Sequence, residues 1–102
     1  MKIFTKEIEE KLVKSKYGSD QRPIFKLFTP WGRATWLVTA EEDGILYGWA
    51  DLGMQCVEWG GLFNREEMLA VKGPFGLKIE RDLHFRDDST KEYHKMESLC
   101  GI

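Results

Sequence analysis

Glu80, Asp82 and His84 stand at i, i+2 and i+4 within Leu77 to Arg86, and an extended chain turns alternate side chains to one face. Two carboxylates and an imidazole on one face are groups that could hold a divalent cation such as magnesium, or serve a metal-assisted hydrolase as ligands or acid and base. A hydrolase also needs a second cluster, and the remaining candidates, Asp51, Asp87 and Asp88, are distant. The plainer reading is a strand face that is solvated or paired with Lys and Arg. A second set, Cys56, His84, His94 and Cys100, has the two thiols and two imidazoles of a zinc site. Its spacings lack the close ligand pairs of the usual fingers, and single cysteines in small domains are commonly inert core residues. No cofactor is therefore expected; zinc or magnesium are the ions these sets would take.

Groups suited to recognition are better represented. Trp31 lies in a Pro30-Trp31-Gly32-Arg33 turn, where an exposed Trp beside an Arg suits a binding hot spot. Trp31, Trp36, Trp49 and Trp59, with Tyr47, could stack on unpaired bases, but apart from Trp31 such aromatics more often fill the core beneath a small sheet. The net charge of -2 hides an uneven distribution. Residues 1–33 carry eight Lys or Arg against four Asp or Glu, residues 34–70 one against seven, and residues 71–102 six against six. A phosphate-binding chain normally shows a cationic surplus, so direct nucleic-acid binding is not expected. The acidic middle, with Glu41, Glu42, Asp43, Asp51 and Glu58, suits a basic protein surface, or it serves solubility alone. No glycine-rich phosphate loop, nucleophile elbow or close His/Cys catalytic pair is present.

At 102 residues the chain is expected to form one domain, 1–102, with a core over about 5–86 and a tail or short helix over 87–102. No apolar run approaches the roughly 18 residues that cross a bilayer, and the N-terminus lacks a secretory apolar core, so a cytoplasmic protein with free thiols is expected. Thr5 reads as the N-cap of a first helix with Ile8, Leu12 and Val13 on its apolar side and a Glu7–Lys11 pair outside. Strands follow over 24–29, 34–40, 45–51 and 55–59. Glu41 to Gly44 forms a charged turn, and Gly60-Gly61 breaks the fourth strand. Asn64, Glu67, Phe63 and Met68 carry the capping and staple signals of a second helix that ends at Gly73-Pro74. Leu77 to Arg86 then alternates as a last strand, a short helical turn around Asp82 being the rival. Arg81 interrupts its apolar face and would seek Glu67 or Glu58. Tyr93, Met96 and Cys100 have the spacing of a short terminal helix. The whole reads as α+β: a small, mainly antiparallel sheet of four to five strands, an N-terminal helix, and a short helix before the last strand.

Several phrases of this chain resemble the domain of unknown function family 2958. They are Phe28-Thr29-Pro30, Thr35 to Thr39, Tyr47-Gly48, the helix around Leu69, and above all Val71 to Leu77 followed by Ile79 to Phe85. The resemblance covers about residues 5–86. It departs at Ala34, where the family usually has an aromatic, and over 56–61, which is looser than the family's phrase. It implies a compact α+β domain carried by plasmids, phages or integrated elements, and assigns no mechanism. Small size, that setting and the acidic middle lead to a non-enzymatic protein-binding protein, an inhibitor of a host defence nuclease of anti-CRISPR or anti-restriction type. Its expected partner is a nucleic-acid-binding host effector, with no membrane involved, and its expected contacts are Trp31, Arg33, Glu41, Glu42, Asp43, Asp51 and Glu58. The alternative is a metal-dependent single-stranded DNA endonuclease built on Glu80, Asp82 and His84.

Overall fold

The computed structural model describes residues 2–18, 22–53 and 57–85. Its elements are helix α1 (Lys6–Val13), strands β1 (Phe25–Phe28), β2 (Thr35–Glu42), β3 (Ile45–Asp51) and β4 (Val57–Asn64), helix α2 (Arg65–Ala70), a single 3-10 turn at Pro74–Gly76, and strand β5 (Glu80–Arg81). The sheet order is β4-β3-β2-β1-β5, every neighbouring pair antiparallel, so the chain passes through α2 from one edge of the sheet to the other. The α+β architecture expected from the sequence is the one found.

Local chemistry sets the helix starts. Thr5 Oγ1 accepts from the Ile8 N–H, and Asn64 Oδ1 accepts from the Glu67 N–H at 2.7 Å, each satisfying a donor that helix geometry leaves free. Glu67 returns the contact to the Asn64 side-chain amide at 2.7 Å, in place of the backbone N–H of a capping box. Asn64→Ala is expected to cost about 1 kcal/mol. A urea midpoint equal to that of the parent would show that this cap does not hold α2.

The sheet buries apolar side chains on both faces. The face under the helices gathers Ile8, Leu12, Phe25, Leu27, Val38, Leu46, Met68 and Ile79. The other centres on Leu37, Trp49 and Val57, with Trp59 and Phe85 packed against them. Tyr17, beyond the end of α1, meets Tyr47 and Trp59 edge-on, each at 4.9 Å between ring centres. Full burial of large apolar side chains is worth about 1.5–3 kcal/mol apiece, which makes these two layers the principal cohesive force. Val13 departs from expectation. It is 86% exposed, because the stripe that docks α1 is Ile8 and Leu12, one turn apart, and Val13 lies about 100° further round. Ser15 ties that helix end to the sheet, donating to the Leu12 carbonyl at 2.6 Å and accepting the Glu41 N–H at 3.1 Å.

Two strands differ from the sequence pattern. β4 does not break at Gly60-Gly61 but runs through both, Gly60 opposite Gly48 and Gly61 opposite Tyr47. The ladder skips Leu62, and on the other side of β3 it skips Thr39, so both neighbours of Tyr47-Gly48 carry a bulge. The strand expected over Leu77 to Arg86 is reduced to Glu80–Arg81, paired with Phe28 and Leu27. The Asp82 N–H reaches the Lys26 carbonyl at 2.9 Å, and Asp82 Oδ1 then accepts the His84 N–H at 2.8 Å, which turns the chain away. Ile79 and Phe85 consequently pack against opposite faces of the sheet rather than one, and Leu83 is exposed. Arg81 donates to the Lys2 carbonyl at 3.2 Å instead of meeting Glu67 or Glu58. The terminal helix suggested by Tyr93, Met96 and Cys100 lies outside the described residues.

Candidate protein-binding surfaces

The β2–β3 connection is a two-residue turn, because Glu42 still pairs with Ile45. Asp43 and Gly44 both take positive φ, 53° and 78°, the type I′ geometry whose twist suits a hairpin and for which Asp-Gly is a preferred pair. Beside this tip sits a knot of charge. The Arg65 guanidinium grips Glu41 with Nη2 at 2.7 Å and Nε at 2.5 Å, and reaches Glu9 at 2.5 Å. It also lies 4.2 Å over the Phe4 ring. One side chain thus joins α1, β2 and α2. Its hydrogen bonds to Glu41 and then Glu9 hold the guanidinium still further above its already high pKa. The hydrogen bond from Arg65 holds Glu9 below the usual carboxylate range, against the opposing effect of burial.

This knot sorts the acidic residues. Glu41 is half-buried and occupied by Arg65, whereas Glu42 and Asp43 remain exposed at the tip. Glu66 joins Glu41, Asp43, Ile45, Asn64 and Arg65 around a shallow basin of about 380 Å³. Asp51 and Glu58 are elsewhere. Asp51 lies at the far end of β3, where its carboxylate accepts the Gly53 N–H at 3.0 Å, and Glu58 is exposed on the edge strand β4. Trp31 is half-buried with its ring against Gly73, where an added Cβ would stand 2.4 Å from Cε3. Exposed Arg33 lays its side-chain stem along Gly53.

The proposed cation set does not form as drawn. Glu80 belongs to β5, Asp82 ends it, and exposed His84 lies in the turn beyond, so the three do not share a strand face. Asp82 Oδ2 is 3.7 Å from the Lys26 ammonium. Among the described residues no three His, Cys, Asp or Glu side chains come together as a metal site. Cys56, His94 and Cys100 of the zinc set, with Asp87 and Asp88, lie outside the described residues.

Two features escaped the sequence reading. Arg65 is the one basic residue in a 34–70 block with seven acids, and that solitude was a signal of its role. The other is the Pro74-Phe75-Gly76 turn, whose Phe75 is completely exposed. A proline followed two residues later by glycine is a turn signal, but it does not say which way the intervening side chain points.

The architecture is that of a small α+β domain in which two helices cover one face of a five-stranded antiparallel sheet. A family model described as "Protein of unknown function (DUF2958)" matches residues 3–98, and the chain belongs to that family. No curated protein and no solved structure matches it. No helix among the described residues is long and apolar enough to cross a membrane.

Proposed function

We infer that this chain is a protein-binding protein that acts by occupying a basic surface of its partner. The observation that carries this is the hairpin tip, where Glu42 and Asp43 stand exposed on a tight turn whose root is fastened by the Arg65 grip on Glu41. Rigid presentation matters because charge that is already in place loses little entropy on docking. Its complement is a cationic surface, and the groove of a nuclease that holds nucleic acid is such a surface. Inhibition of a host defence nuclease, of anti-CRISPR or anti-restriction type, by a protein of a phage or other mobile element is the form of this activity we propose. Association would be fast and would weaken with salt, as for other electrostatically guided pairs.

The test is phage plating on bacterial strains carrying a CRISPR or restriction system, with and without the chain. Expression is expected to raise plating efficiency on at least one such strain. Glu42→Lys/Asp43→Lys is expected to abolish the effect while the unfolding free energy from urea titration stays within about 0.5 kcal/mol of the parent, since both side chains are on the surface. Equal plating with parent and variant would remove the tip from the interface, and no rise on any strain would remove the inhibitor reading.

A further inference from the structure

We propose that Phe75 and the groove beside it form a second docking surface, fitted to a protein partner that offers an apolar socket rimmed by carboxylates. Phe75 has φ 57° and ψ 27°, the left-handed region, and Gly76 follows at φ 74°. These are the two central residues of a type I′ turn, closed by the Leu77 N–H on the Pro74 carbonyl at 3.0 Å and braced by the Gly73 N–H on the Leu77 carbonyl at 2.7 Å. The same chain makes the same kind of turn with Asp43-Gly44, residues that tolerate it. A phenylalanine at the first central position is strained there and, being 101% exposed, gains no burial in return. Glycine at 75 would serve the fold better. Nothing among the described residues repays that strain, and a contact with a partner would.

The loop is also held still at its base. Gly73 packs directly on the Trp31 indole, which stands in the β1–β2 turn, so the ring is displayed from a fixed platform. Next to it lies an open groove of about 480 Å³ lined by Leu69, Gly76, Leu77 and Ile79, with Lys78 and the half-buried Glu80 as its charged residues. Leu69 and Leu77 are 47% and 37% exposed, so knob and groove form one apolar surface of the kind that marks an interface. Exposed Lys72 and Lys78 flank the knob, and residues 71–78 contain no acid. That charge selects an acidic rim on the partner. Two lysines supply few of the contacts by which a chain holds a phosphate backbone, and an apolar groove serves neither phosphate nor base edge, which favours protein over nucleic acid. One protruding ring beside a concave groove is likewise a poor membrane anchor, because the groove walls cannot follow the ring into lipid. Phe75 projects from the loop that packs on Trp31 at the β1–β2 end of the sheet, whereas Glu42 and Asp43 lie at the other end of β2, a strand length of roughly 23 Å; the groove wall on α2 lies between the two. The inference accordingly stands whether or not the acidic tip inhibits a nuclease.

The experiment pans a random twelve-residue peptide library against the full chain, with counter-selection on Phe75→Ala, and measures the most enriched peptide in fluorescently labelled form. The peptides expected combine Leu, Ile, Phe or Trp with Asp or Glu. Phe75→Ala is expected to lower affinity at least tenfold, and Lys72→Glu/Lys78→Glu at least threefold at low salt, while Lys16→Glu leaves it unchanged. The melting temperature of Phe75→Ala should equal or exceed that of the parent, which separates lost binding from lost folding. Failure to enrich any peptide over the counter-selection, or enrichment of basic peptides, overturns the proposal. So does a Phe75-dependent interaction with a labelled 20-nucleotide single strand, with anionic vesicles, or with a second copy of the chain seen as concentration-dependent sedimentation.

Discussion

Replacing Gly48 by alanine is expected to destabilise the protein by at least about 3 kcal/mol, a large share of the roughly 5–15 kcal/mol that holds a domain folded. Gly48 has no positive φ, so its requirement is not conformational. An alanine Cβ at this position would stand 1.9 Å from the Leu37 carbonyl oxygen, 2.8 Å from its carbonyl carbon and 2.9 Å from Val38 Cα. All three atoms are backbone, and no side-chain rotation relieves them. Relief needs β2 and β3 to part by more than an ångström where Leu37 and Trp49, fully buried, pair across the same two strands. The Thr39 bulge falls beside Gly48, at the Tyr47–Gly48 step, and the Leu62 bulge one step away, at Leu46–Tyr47, both increasing the local twist. Gly60 is the control. It pairs with Gly48 in the same row, but a Cβ there meets nothing within 4 Å, so Gly60→Ala is expected to stay within about 1 kcal/mol of the parent. Urea unfolding of the two variants decides the matter. A Gly48→Ala protein as stable as Gly60→Ala would mean that the strands do not approach this closely.

The features legible in the sequence are those that neighbouring residues determine among themselves. Thr5 and Asn64 each cap an N–H donor three residues on, and Gly44 answers a need set by the adjacent Asp43. Strand length is decided elsewhere. Leu77 to Arg86 has the alternation of a long strand, yet it pairs with β1 only at Phe28 and Leu27, and Asp82 then spends its carboxylate on a turn. Conversely, Gly60-Gly61 has the composition of a break, but β3 presents a partner for each residue and the ladder holds. The acidic tip was legible as charge, since Glu42 and Asp43 sit beside a turn signal. That Glu41 belongs to the frame instead could not be read locally, because its partner Arg65 is 24 positions away. Phe75 was obscured for a different reason. Pro74-Phe75-Gly76 satisfies the ordinary signals for a helix stop followed by a strand, and a left-handed phenylalanine contradicts the backbone preference on which such readings rest.

Arg65→Met carries the second large effect, about 2–3 kcal/mol of lost stability. Methionine preserves much of the side-chain length but removes a two-point grip on Glu41, the contact with Glu9 and the cation over Phe4. The figure is kept below that of a fully buried pair because the side chains of Arg65 and Glu9 retain 30% and 45% of their exposure. Much of the cost falls on Glu41, whose side chain is only 18% exposed and would lose its two hydrogen-bond donors. Arg65→Met/Glu41→Gln should therefore recover part of the loss, a positive coupling that a double-mutant cycle measures directly. Acid sensitivity supplies an independent readout. Glu9 has a folded pKa below its unfolded one, so its contribution is complete above the ordinary glutamate value of about 4.3 and disappears as pH falls through the lower folded value. The parent should lose that part of its stability as pH falls below the ordinary glutamate value, and Arg65→Met should lose less over the same range, having no guanidinium to depress Glu9. Because Glu41 lies at the root of the hairpin, the same substitution should also loosen the tip, with faster amide exchange at Glu42 to Gly44 while β3 and β1 exchange as before. Identical acid profiles, together with unchanged exchange at the tip, would mean that the Arg65 knot neither fastens α1 to α2 nor stiffens the hairpin, and would remove the rigid presentation on which the acidic interface depends.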